Sequence, residues 1–177
     1  MRLFTLLAIY LFALQLQAQE VRTREIGLRL RGLDDFNFMY KKSLDENTFR
    51  RYRLFSAEVD LMNIEGNSVG TFNVGASIGK ERRSALAQDL QFVRGPEYFT
   101  SISVVGTDDD FGIIVQPGIG YVLGFQYAIS DRFYLGLETI PSVSLRLGSV
   151  AGDTILGLTA GFNSNAIALL AMYRFTR

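Results

Sequence analysis

The chain has 177 residues and carries 18 basic against 18 acidic side chains, with no cysteine, histidine or tryptophan. The missing cysteine excludes disulfides, thiolate sites and a lipidated N-terminal cysteine, and the missing histidine removes the commonest general base and metal ligand. This length suits one domain, and balanced charge gives no footing for nucleic-acid binding.

Residues 1–18 read as a separate object. Arg2 supplies a positive start, LFTLLAIYLFAL an apolar run, and Gln15-Leu16-Gln17-Ala18 a polar end closing on a small residue. That is the layout of a secretory signal peptide, and its apolar run is too short to span a bilayer as a helix. Cleavage is expected after Ala18, leaving 19–177 as the working domain of an exported protein.

From there the chain alternates. TREIGLRLRGL sets Ile26, Leu28 and Leu30 against Gly27, Arg29 and Arg31, and FNFMYKKS sets Phe36, Phe38 and Tyr40 against Asn37, Met39 and Lys41. Such period-two runs predict strands with one apolar and one polar face. In 49–64 the apolar parity switches after Leu54, which predicts a β-bulge near Leu54–Ser56 that keeps Arg51, Arg53, Glu58 and Asp60 on the polar face. A fourth strand over 69–80 has Phe72, Val74, Ala76 and Ile78 on one side.

The period then fails. Over 84–93 (SALAQDLQFV), Ser84 suits a helix cap, Leu86, Leu90 and Val93 share a helical face, and Gly95-Pro96 suits a stop, so a short helix is expected there. A fifth strand over 97–106 leads to the acidic turn Asp108-Asp109-Asp110. FGIIVQPGIGYVLGFQYAISDRFYLGLETIPSVSLRLG then reads as two long strands joined at Ser130-Asp131-Arg132. Residues 149–165, rich in Gly, Ser and Asn, read as a loop, with a strand extended into it over Ile155–Leu158 as the alternative, and AIALLAMYRF as an eighth strand.

Eight strands with short turns and no helical crossover predict a closed, antiparallel, all-β up-and-down barrel, since closure removes the aggregation-prone edges. Its polar face is mostly Gly, Ser, Asn, Gln and Ala, which suits a narrow packed lumen. The few charges there have both signs (Arg29, Arg31, Lys41, Arg51, Arg53, Glu58, Asp60, Glu138, Arg146, Arg174) and are expected to pair as a structural ionic network. The apolar face, with Tyr near strand ends, is then the lipid face of a transmembrane barrel in an outer membrane. The alternative is a secreted, soluble, lipocalin-like barrel with the apolar face inside around an apolar ligand.

The signal peptide, the eight strands and the terminal AIALLAMYRF resemble the small outer-membrane β-barrels of the OmpA-transmembrane and OmpX type. That resemblance covers the exported chain. Members end in an assembly signal of alternating aromatics closing on Phe, which Tyr173 and Phe175 match; Leu170 stands where a Gly is frequent, and Thr176-Arg177 follow the Phe. KERRSALAQDLQFVRGPEYF with AMYRF is also similar to the "outer membrane beta-barrel domain" family, which implies no activity. The resemblance implies a monomer whose partners are outer-membrane lipid and the assembly machinery of that membrane.

The sequence offers little catalysis. Gly118, Gly120 and Gly124 share one parity of a strand, whereas a dinucleotide loop needs a strand-to-helix turn, so they read as glycines making room in a lumen. Asp108–Asp110 lacks the alternating ligand spacing of a calcium loop and reads as a solvated turn, with a weak divalent-ion site as the sharper alternative. No histidine stands ready to activate a serine, so no enzyme and no cofactor is expected. Eight strands leave an interior that side chains fill, so bulk conduction is not expected either.

Overall fold

The structure, a computed structural model, describes residues 23–31, 36–64, 67–106, 111–161 and 167–176, with the backbone alone over 56–64 and 67–69. The expected signal peptide, the Asp108-Asp109-Asp110 turn and the side chains of Glu58 and Asp60 lie outside the described residues.

Ten strands follow one another: β1 (Thr23–Leu30), β2 (Phe36–Ser43), β3 (Thr48–Ile64), β4 (Asn67–Ala85), β5 (Leu90–Gly106), β6 (Phe111–Ala128), β7 (Phe133–Thr139), β8 (Ser142–Val150), β9 (Asp153–Gly161) and β10 (Ala168–Thr176). Every pairing is antiparallel. β1 to β7 pair in sequence, β7 pairs with β10, and β10 returns to β1, closing an eight-stranded barrel. This is the all-β architecture that unbroken alternation demands.

β6 organises the upper part. Leu123–Ala128 of β6 pair with β7, while Gly112–Gly120 pair with β8. β7 and β8 are thus one strand interrupted at Ile140-Pro141, where proline has no N–H to give the ladder. Tyr121 N–H instead donates to the Pro141 carbonyl at 3.0 Å. Past this break the ring no longer closes: β3, β4, β5, β6, β8 and β9 continue as an open sheet, with upper β3 and β9 as its edges among the described residues.

The opposite end carries three tight turns of one design. Leu44 N–H donates to the Thr48 carbonyl at 2.8 Å, Leu86 to Leu90 at 2.9 Å and Ile129 to Phe133 at 2.9 Å. The second of these stands where the helix over 84–93 was expected. β4 runs on to Ala85 and β5 starts at Leu90, with no helix among the described residues. The physical reason is that Glu81 and Arg83 point into the lumen while Lys80, Arg82 and Ser84 point out. Both faces are polar here, so period two leaves no hydrophobic trace. Gly95 and Pro96 are strand residues, not a helix stop. A Cβ at Gly95 would collide with the Lys80 carbonyl oxygen, so the close approach of β4 requires glycine.

Two further expectations meet the backbone. The register of β3 against β4 slips between Phe55 and Ala57, where the parity switch placed a bulge. The expected loop over 149–165 is instead largely the β8–β9 hairpin. Its turn residues Ala151 (φ 51°) and Gly152 (φ 83°) both take positive φ, the conformation of a two-residue primed turn that usually advertises itself as Asn-Gly.

Candidate functional site

Alternation decides what fills the barrel. Outward positions such as Ile26, Leu28, Phe38, Leu54, Ile78, Tyr98, Ile119, Phe125 and Leu137 are exposed. Inward positions bury Glu25, Arg29, Asn37, Lys41, Arg51, Arg53, Glu81, Arg83, Glu97 and Glu138 together with Met39, Val122, Tyr134, Leu170 and Met172. The usual order of a soluble protein is inverted, and the charges must therefore satisfy one another.

They do so around Arg51, whose side chain is fully buried. Its Nη2 and Nη1 donate to Glu138 Oε1 at 2.9 Å and Oε2 at 3.0 Å, a bidentate clamp across the lumen. Arg51 Nε lies 2.8 Å from Glu97 Oε2, and Nη1 lies 3.4 Å from Glu81 Oε2. Glu138 Oε1 also accepts from Arg29 Nε at 2.6 Å. Arg53 Nη2 donates to Glu97 Oε1 at 2.6 Å, and its Nη1 to Asn37 Oδ1 at 3.0 Å.

A second knot lies nearer the turns. Arg83 bridges Glu25 and Glu81, with Nη2 2.6 Å from each carboxylate, and its guanidinium lies 3.5 Å from the Phe49 ring centre. Tyr134 Oη donates to Glu25 Oε2 at 2.6 Å. Lys41 Nζ reaches Glu81 at 2.9 Å, the Arg51–Glu81 contact joins the two knots, and Arg174 Nε reaches Glu25 at 3.0 Å. A void of about 10 Å³ lined by Lys41, Gln126, Tyr134 and Glu138 holds at most about one water. This interior is a plug of side chains.

Of the expected lumen residues, the structure brings together Arg29, Lys41, Arg51, Arg53, Glu138 and Arg174. Arg146 has the inward parity but sits in β8 above the closed ring and is exposed. Arg31 lies exposed just past the end of β1. Arg174 does not lie beside Arg29: the β1–β10 register pairs Arg29 with Leu170 and Arg174 with Glu25, so its charge is met locally. Four members escaped sequence reading. Glu25 shares the Gly27–Arg29 parity and could have been found by following that parity one step back within the expected first strand; Glu81 and Arg83 fell in the gap between the expected fourth strand and the expected helix, and Glu97, the first residue of the expected fifth strand, has the inward parity of Ser101 and Ser103.

β10, which carries Tyr173 and Phe175, is the strand that closes the ring by pairing with β1 and β7 at once. Deleting residues 171–177 is expected to leave exported but uninserted protein, measured by fractionation; normal membrane levels of the shortened chain would contradict that role.

A closed antiparallel barrel with an apolar exterior and an ion-paired interior defines the class of small membrane β-barrels. No protein-family model and no curated protein matches the sequence. The chain is similar in structure to "Ail, the attachment invasion locus protein of Yersinia pestis", at TM-score 0.40 and 14% identity over 89% of this chain and 100% of that one. It is similar also to the Neisserial surface protein A (NspA), at TM-score 0.40 and 10% identity over 86% and 92% of the two chains. A third is Acinetobacter baumannii CarO, at TM-score 0.36 and 9% identity over 86% and 96%. Likenesses this distant carry no argument about function, and the barrel rests on the strand pairing itself.

Proposed function

We propose that this chain is a non-enzymatic integral outer-membrane β-barrel that contributes to envelope structure or surface binding. The observation that carries the reading is the inverted cross-section, with large apolar side chains outside and buried ion pairs inside. A soluble lipocalin-like barrel would keep an apolar cavity for its ligand, and that space is filled here by Arg51, Lys41, Tyr134 and four glutamates. Among the described residues no group of three acidic side chains is placed to hold a metal.

The open sheet supports the surface-binding part. Every outward position of β6 from Phe111 to Tyr127 is apolar. That run rises on the order of 40 Å at roughly 3.3 Å per residue and 40° tilt, more than the ~25 Å band a membrane barrel needs. Apolar surface therefore continues above the lipid, and on β9 Leu156 and Leu158 are 78% and 70% exposed. Fractionation with gel electrophoresis of unboiled and boiled samples tests the membrane reading. The protein is expected in the outer-membrane fraction with heat-modifiable mobility; a soluble species of unchanged mobility would overturn it.

A further inference from the structure

The outer wall of the barrel changes character abruptly at the tight-turn end. Arg24 in β1 lies opposite Lys42 in β2, Lys42 opposite Arg50 in β3, and Arg50 opposite Lys80 in β4. Arg82, two residues nearer the turn, lies opposite Arg94 in β5. All six share the outward parity of their strands. Arg50, Lys80, Arg82 and Arg94 are exposed, and Arg24 and Lys42 are half-buried. They form a basic crescent over five adjacent strands.

Like charges directly opposite one another across a ladder repel. No described ion pair cancels them: every ion pair formed by the chain's described acids is directed into the lumen, and none of the six cations is in one. Acids also stand in the turns at this end, among them Asp45, Glu46 and Asp89. Asp45 is within electrostatic reach of Lys80, yet its carboxylate accepts from Asn47 N–H at 3.0 Å and joins no ion pair. Arg24 Nε is shielded from water and has no acceptor.

The crescent has a sharp upper limit. The next outward residues are Ile26, Tyr40, Tyr52, Ile78 and Pro96, and the outward positions above them on β1, β2, β4 and β5 carry no charge among the described side chains. Tyr40 and Tyr52 stack with ring centres 6.0 Å apart. A cationic row directly beneath a tyrosine band is the profile of a lipid interface, where phenol rings sit at headgroup depth and cations meet phosphate. On the far side of the barrel, β6, β7 and β10 place Tyr127, Phe133 and Tyr173 at the turn end, where the exposed cation is Arg132 in the β6–β7 turn beside Asp131, and no row of outward cations runs from strand to strand.

We infer that this crescent is a binding site for anionic phospholipid headgroups in the leaflet at the tight-turn end, so that one half of the barrel's circumference selects its lipid shell. The inference rests on the membrane reading above. It commits to lipid because the tyrosine band continues directly into the acyl-facing wall, which a soluble anion would not use.

The test places the full-length barrel in nanodiscs of phosphatidylcholine, alone or mixed with phosphatidylglycerol, and measures which spin-labelled lipid occupies its first shell. The expected result is a several-fold preference for phosphatidylglycerol that fades as salt screens the charges. The quadruple change Arg50→Gln, Lys80→Gln, Arg82→Gln and Arg94→Gln is expected to abolish the preference while heat-modifiable folding persists, and Arg→Lys exchange at the three arginines to retain it. A barrel that inserts into phosphatidylcholine yet shows no preference overturns the crescent alone. A preference untouched by the quadruple change overturns it equally. Inorganic phosphate displacing phosphatidylglycerol at millimolar concentration would assign the row to free anions, against the inference. Failure to insert into either lipid would defeat the membrane reading together with it.

Discussion

Replacing Ile119 by arginine is expected to cost about 2–4 kcal/mol of barrel stability in lipid. Ile119 is the middle one of the outward positions of β6, opposite Tyr98 in β5 and Val143 in β8, and 48% of it is exposed. In water such a half-exposed site would accept a charge at little cost, because a long side chain there reaches solvent. In a bilayer the guanidinium must be drawn out of hydrocarbon or thin the membrane around it. Depth supplies the control: Leu86→Arg, in the turn between β4 and β5, is expected to cost about 0–1 kcal/mol near the interface. Reversible unfolding from lipid vesicles measures both. Equal and negligible costs would place the outer wall in water.

Much of this architecture was legible because a strand reports its faces wherever one of them is apolar. β1, β2, lower β3 and β6 alternate cleanly, and the parity switch after Leu54 announced the bulge that the backbone shows between Phe55 and Ala57. The signal disappears where both faces are polar. From Lys80 to Ser84 the outward side carries the basic crescent and the inward side carries Glu81 and Arg83, so hydrophobic spacing was left to Leu86, Leu90 and Val93, which happen to fit a helix. The most charged part of the site was therefore the part misread. The β8–β9 hairpin was lost for another reason, since Ala151 adopts a backbone conformation that alanine rarely signals. Which charges meet was not legible either. Glu138 and Arg29 are 109 residues apart in sequence, and their contact exists because β10 and β7 bring the two ends of the barrel wall together.

That contact gives the sharpest test of how the lumen is held. Arg51 serves Glu81, Glu97 and Glu138 at once, and Arg51→Met is expected to cost about 3–5 kcal/mol because it leaves buried carboxylates short of a partner. Glu138→Gln should also destabilise, chiefly by stranding Arg29, whose described ion pair is with Glu138 and whose side chain is 3% exposed. Arg29→Met alone should cost less, since Glu138 keeps its bidentate clamp to Arg51. Combining Glu138→Gln with Arg29→Met removes the stranded cation along with the carboxylate it answered. The double variant should therefore be more stable than the sum of the two single losses predicts, by about 0.5–3 kcal/mol of coupling. Unfolding of the four proteins in one detergent, by tryptophan-independent far-UV dichroism, measures that cycle. Additivity within about 0.5 kcal/mol would show each charge independently hydrated, and a lumen wet enough to hydrate Arg29 and Glu138 separately would be open to ions rather than plugged by its own side chains.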